Sequence, residues 1–326
     1  MIDRRYRLLA AAALAVCSVV IVSGAQEGSA TDPESLTFPT SAGSWAPGDE
    51  TPEGRAPQNT GEVEIRGVGT FTYDPTSVET SRPDLFQPGF FSVFDLLLHL
   101  AEGERIELEY GFDDLADTHV IRSLNGLEGW WYDAHYEGGW FERTVVRMDH
   151  YPIKDGTQVV LFLEDPERLQ AILDHHREEV ERRVASEGAA IIPEVTLRSA
   201  RESVTFENVL VTAHDLRADV FQPGTVTALD VLLSLGEQGL LDGISLEWRF
   251  GEGEIGVIDS YLVRRVAAPG FAPEASESCA LTHQASSERI AEYLAPHTHT
   301  TSHIHLSADL EILVSPESLD WMWNCQ

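Results

Sequence analysis

Asp84-Leu-Phe-Gln-Pro-Gly89, followed by Ser92-Val-Phe-Asp-Leu-Leu-Leu-His-Leu100, returns 135 positions later as Asp219-Val-Phe-Gln-Pro-Gly224 and Thr227-Ala-Leu-Asp-Val-Leu-Leu-Ser-Leu235. In each copy the Pro-Gly pair supplies the fixed φ and then the positive φ of a type II turn. Ser92 and Thr227, each three residues before an aspartate, have the form of a capping box that opens a helix. Val93, Leu96, Leu97 and Leu100 fall at i, i+3, i+4 and i+7, as do Ala228, Val231, Leu232 and Leu235, so each helix carries one apolar face. Identical punctuation and identical faces predict a duplicated domain.

Outward from the helices the copies stay parallel. Glu62-Val-Glu-Ile-Arg66 and Glu194-Val-Thr-Leu-Arg198 read as the first strand of each. Ile106-Glu-Leu-Glu-Tyr-Gly-Phe112 matches Ile244-Ser-Leu-Glu-Trp-Arg-Phe250, and alternation turns Ile106, Leu108, Tyr110 and Phe112 toward one buried face. Val120-Ile-Arg-Ser123 matches Val257-Ile-Asp-Ser260 as a further strand. Asn125-Gly126 predicts a hairpin into the aromatic run Glu128-Gly-Trp-Trp-Tyr-Asp-Ala-His-Tyr-Glu-Gly138. A turn at residues 151–156 then leads into a strand over 157–163. Each unit is thus strand, helix, strands, an α+β arrangement.

The helix after Pro88-Gly89, the Gly129-Trp-Trp-Tyr132 strand and the Tyr151-Pro-Ile-Lys-Asp-Gly156 turn together resemble the transcobalamin C-terminal-like family, a β-grasp-like domain of unknown function. The likeness covers about a hundred residues of the first unit and the front half of the second, which lacks a sequence counterpart of Trp130-Trp131 and of the 154–156 turn. It implies two related β-grasp-like domains, extracytoplasmic binding or surface modules with no catalytic residues to carry over. Where that family has an Asn-Gly turn after the aromatic strand, this chain has Asp133-Ala-His-Tyr-Glu-Gly138.

With 326 residues, 43% of them hydrophobic, the chain can bury two cores. Against 22 basic residues stand 54 acidic ones, for a net charge of -32, and Lys154 is the one lysine. A uniformly acidic chain repels polyanions, so nucleic acid and anionic membrane surfaces are excluded as partners. The same balance keeps a protein soluble and suits a salt-rich habitat, where self-repulsion is screened.

Residues 1–25 read as a signal peptide: Arg4, Arg5 and Arg7, an apolar run from Leu8 to Val22, then small residues at Ser23-Gly-Ala25. Export to the periplasm, the cell surface or the medium is the expectation, with contact to the membrane only through an uncleaved leader. Residues 26–60, rich in Gly, Ser, Thr, Pro and acids, read as a disordered tether. The first domain then spans 61–164 and the second, divergent one 189–326, ending in a C-terminal cap. Between them, at 165–188, Asp165-Pro-Glu-Arg168 caps a helix to about Ser186. Its Glu and Arg content predicts a solvated connector with His175 and His176 on the surface. Ser315-Pro-Glu317 repeats the cap and predicts a short terminal helix bearing Trp321 and Trp323, after a last strand at 309–314.

Cys17 leaves with the leader, so Cys279, expected in a loop, and Cys325 remain as a disulfide pair for an oxidising compartment. Closing about 47 residues would contribute roughly 4 kcal/mol. Two histidine constellations offer sharper chemistry. His297, His299, His303 and His305 pair on the faces of an extended chain, as a chelate of zinc or copper requires; an exposed polar loop is the plainer reading. In the first domain Trp131, Asp133 and His135 share a strand face, and the return through His150 and Tyr151 could bring His119, His135 and His150 together as a ligand or metal site. The plainer reading there is a half-polar sheet face. No Gly-x-Ser-x-Gly, His-Glu-x-x-His or phosphate-loop pattern occurs. Two functions stay open, a non-catalytic binding module for a small ligand or metal and a structural or adhesive surface protein, with a hydrolase of unrecognised site third. An exposed aromatic groove beside Asp133 would favour the first and buried tryptophans the second.

Overall fold

The computed structural model describes residues 54–136, 144–249, 252–253, 256–257, 259–273, 279–290 and 307–325. Residues 1–25, expected as a leader, residues 26–53 of the expected tether, and His297, His299, His303 and His305 lie outside the described residues, as does the side chain of His135. Both repeats and their connector belong to one compact unit.

The first repeat holds β1 (Gly61–Ile65), β2 (Gly69–Tyr73), α1 (Val93–Glu102), β3 (Leu108–Asp113), β4 (Thr118–Leu124), β5 (Trp130–Tyr136) and β6 (Thr157–Leu163). After the connector α2 (Pro166–Ala185) come β7 (Ala190–Arg198), β8 (Ser203–Val211), α3 (Ala228–Glu237) and β9 (Gly243–Arg249). The chain closes with the two-residue β10 (Glu252–Gly253) and β11 (Gly256–Val257), then β12 (Ser260–Ala267), β13 (Cys279–Ser286) and β14 (Ser318–Cys325). The main sheets have strand orders β2-β1-β6-β5 and β8-β7-β14-β13. In each the two central strands run parallel and the outer ones antiparallel, the mixed sheet of a β-grasp arrangement. The fold is α+β with two such repeats, and the duplication read from the helices extends to the last strand of each.

Both helices open as their sequences predict. Ser92 and Thr227 form capping boxes with Asp95 and Asp230, and Gly89 and Gly224 take φ values of 92° and 86° in the turns before them. Val93, Leu96, Leu97 and Leu100 are fully buried under the first sheet, and Ala228, Val231, Leu232 and Leu235 under the second.

Several expectations are corrected. The C-terminal segment is a strand: β14 lies in the middle of its sheet and buries Trp321 and Trp323, because period-2 apolar alternation (Leu319, Trp321, Trp323) overrides the Ser-Pro-Glu cap signal. Residues 309–314 form no strand, only a single bridge from Ile312 to Thr227, equivalent to that of Pro152 with Ser92. Cys279 begins a strand, not a loop. Asn125 and Gly126 do make a turn of positive φ, 50° and 75°, but it joins two sheets: β4 pairs with β3, and β5 with β6. The end of the expected tether is docked, Gly54 N–H to Asp219 and the Gln58 and Asn59 N–H groups to Asp155. Finally α2 is not solvated. Arg168, Ile172, His175, His176 and Glu179 are buried, a helical stripe at i, i+4, i+7, i+8 and i+11 made mostly of polar residues.

The two repeats meet through the very stretch that is duplicated. Phe86 and Phe221 form an antiparallel bridge, with ring centroids 5.6 Å apart. The Gln87 and Gln222 N–H groups donate to the carbonyls of Val220 and Leu85, each at 2.8 Å. Their side-chain amides donate to the carbonyls of Phe221 and Phe86 at 3.1 and 3.0 Å. Each motif satisfies its copy by the same bonds, a pseudo-twofold clasp.

Candidate functional site

A buried arginine stands two residues before the first aspartate of each duplicated motif. Arg82 reaches Asp84 with Nε at 2.9 Å, the Asp117 carbonyl at 3.3 Å and Asp149 Oδ2 at 3.2 Å. Arg217 reaches Asp219 with Nε at 2.9 Å, the Asp259 carbonyl at 3.2 Å and Asp309 Oδ2 at 2.7 Å. The residue after next completes both hubs by its backbone, His119 N–H to Asp149 and Tyr261 N–H to Asp309. The structural register therefore aligns Asp117–Ile121 with Asp259–Val263. The expected match of residues 120–123 with 257–260 is displaced by five positions: Val120 is the counterpart of Leu262, not of Val257.

Asp149, fully buried, accepts five hydrogen bonds: from Arg82 Nη1, Thr118 Oγ1 at 2.6 Å, His119 N–H, and the Nδ1 atoms of His119 and His150, both at 2.9 Å. A carboxylate here only accepts, so both rings carry their proton on Nδ1. Burial pushes the Asp149 carboxyl up, but the neighbouring His150, the two ring hydrogen bonds and Arg82 together outweigh it and hold it well below the usual range. Burial likewise lowers His150, against the pull of Asp149.

The expected convergence is thus realised in part: His119 and His150 meet on one carboxylate, while the side chain of His135 lies outside the described residues. Among the described residues no group of three His, Cys, Asp or Glu side chains is arranged to hold a metal ion. Trp131 and Asp133 do not form an open aromatic wall. They are 5% and 8% exposed, because α2 and residues 144–147 cover that face of the sheet. The Trp131 indole donates to the Thr144 carbonyl at 2.8 Å and its ring lies 6.2 Å from that of His176. Tyr132 donates to the Val146 carbonyl, and Tyr151 is buried against its ring.

What remains open to solvent is the other end of the hub. His119 stacks on Phe94 at 4.5 Å, with the rings of Tyr110 and Phe112 at 6.0 and 5.0 Å. Tyr110 and Phe112 are both 44% exposed, so the strand face expected to be core is a half-open aromatic rim. With Nδ1 fixed by Asp149, His119 keeps Nε2 for another partner. The second repeat has Trp248 and Tyr261 at the corresponding positions, rings 5.0 Å apart, and no imidazole. Neither Arg82 nor Arg217 was singled out in the sequence, although the pattern Arg-x-Asp-x-Phe-Gln-Pro-Gly is there twice.

Lys154 is buried at the junction with the second repeat. Burial, with Arg217 adding, pushes its amine down to about 7 against the pull of Asp309 and Asp259. Comparison of the chain with protein families, with curated proteins and with solved structures finds no match. Among the described residues no helix is long and apolar enough to cross a membrane.

Proposed function

We propose that the protein is an exported, non-catalytic structural module: two β-grasp-like repeats held as one rigid body at the end of an N-terminal tether. The observation that carries this reading is the clasp, in which the duplicated Phe-Gln-Pro-Gly motifs satisfy each other. It is supported by the buried Trp130, Trp131, Trp321 and Trp323, and by an Asp149 carboxylate whose hydrogen bonds are all internal. Export rests on the leader and on the paired cysteines. Spin labels on the two repeats of the full chain, read by pulsed dipolar spectroscopy, should give one narrow distance that an extract of the host's medium leaves unchanged. A broad distribution would sink the rigid-body reading.

A second reading, a small-ligand module, is favoured by one feature: the carboxylate-backed His119 between half-exposed Tyr110 and Phe112, present in one repeat only. Native mass spectrometry of protein purified from its own host separates the two. The mass of the processed chain alone supports the structural module. A stoichiometric adduct lost in His119→Ala would replace it by the binding module.

A further inference from the structure

Two adjacent histidines fasten α2 to both repeats. His175, 3% exposed, turns Nδ1 to Ser287 Oγ of the second repeat at 3.0 Å; His176, 1% exposed, turns Nε2 to the Val145 carbonyl of the first at 2.8 Å. Residues adjacent on a helix point about 100° apart, which is how one turn grips two bodies.

The tautomer of His176 follows from its partner. A carbonyl only accepts, so the proton is on Nε2 and Nδ1 is a bare lone pair, buried with no hydrogen-bond partner among the described residues. A second proton would create a buried N–H with no acceptor and a charge beside a guanidinium. That guanidinium is Arg147, which donates to the His176 carbonyl at 2.9 Å and to Glu179 at 2.6 Å. The charged groups facing the pair are Glu178, Glu179 and Arg182 on α2, and Arg147 and His150 from the strand-connecting segment. Glu179 Oε1 is 3.7 Å from His175 Nε2, but that carboxylate is already bonded by Arg147. Burial is the largest influence on both rings and holds both below the usual histidine value; Arg147 adds to it, and His176 lies well below.

We propose that His175 and His176 form an acid-sensitive latch, whose protonation releases α2 from the seam between the repeats while the Phe86–Phe221 clasp, which has no titratable group, stays closed. Both rings bind a proton less readily in the folded chain than in the open one. The latch is therefore closed above the ordinary histidine range and weakens as pH falls below about 6.5. If opening lets both rings take up a proton, the opening constant rises by up to about a hundredfold per pH unit. His214 acts in the opposite sense: burial lowers it, but Asp230 and Glu237 outweigh this and raise it, so α3 gains where α2 loses.

Hydrogen exchange of the full chain between pH 7.5 and 5, corrected for intrinsic exchange, tests this. Protection of the α2 amides should fall steeply with pH while β1 and β6 amides keep theirs. The double variant His175→Gln, His176→Gln retains donors without a titratable ring and should flatten that fall. A loss shared equally by α2, β1 and β6, or an unchanged fall in the double variant, overturns the proposal. Should the variant not fold, ring NMR titration of the natural chain decides: both rings are expected to stay neutral until α2 opens, and either one titrating near 6.5 with α2 still protected refutes the latch.

Discussion

Asp149 accepts five hydrogen bonds and its counterpart Asp309 two, from Arg217 and the Tyr261 N–H, although both face a buried arginine. Removing either aspartate takes the fully buried carboxylate from a guanidinium and leaves it the more exposed Asp84 or Asp219 as ion-pair partner, a loss of about 1.5–3 kcal/mol for the charged hydrogen bond. Asp149→Ala should cost more than Asp309→Ala in urea unfolding; equal losses would mean that Thr118, His119 and His150 add nothing net. Because folded Asp149 is held ionised well below its ordinary value, its contribution is complete above about pH 4 and is lost as pH falls through the folded value. The hub was only half legible. Arg82 and Arg217 keep the 135-residue spacing of the motif, but Asp117 and Asp259 are 142 apart and Asp149 and Asp309 160 apart, so no constant offset finds them.

At the scale of elements, the last strand pair explains why the second repeat looked incomplete. On β5 and β6 the facing residues are Tyr132 with Leu161 and Trp130 with Leu163; on β13 and β14 they are His283 with Trp321 and Leu281 with Trp323. The large ring has crossed to the partner strand in both rows, keeping the volume of the pair while erasing the sequence match. The same pairing sets Cys279 directly opposite Cys325. Opposed residues of antiparallel strands have Cα atoms about 4.5–5.5 Å apart, inside the range a disulfide spans. Alkylation of unreduced protein from its native compartment should label neither cysteine, and Cys325→Ser should lower the melting temperature. Rapid labelling of both thiols would remove the bridge. For α2 the charge-rich composition was legible and its burial was not, since a polar stripe is buried only where neighbours supply a partner for each group.

For the whole molecule, two tests concern forces that act across repeats. A net charge of -32 repels itself, and raising salt from 0.1 to 1 M shortens the screening length from about 10 to about 3 Å. The melting temperature should therefore rise with sodium chloride over that range; a flat or falling trend would mean that the ion pairs, such as Arg289 with Glu178, outweigh the repulsion. In the clasp, Gln87→Ala and Gln222→Ala each remove one side-chain hydrogen bond of the same geometry. They should cost the same, about 1 kcal/mol. Clearly unequal costs would show that the pseudo-twofold symmetry is geometric only.

Local chemistry in the sequence was enough to determine the duplication, both capped helices, the type II turns before them, the strand at 157–163 and the bounds of α2. Each rests on neighbours within about one helical turn or one strand. Tertiary structure alone decided that the repeated motif pairs with its own copy, that His175 and His176 are buried, and that Trp131 and Asp133 are covered. It also made the C-terminal segment a central strand. These depend on partners more than ten residues away along the chain, and a polar side chain is silent about its burial until the group that satisfies it is in place.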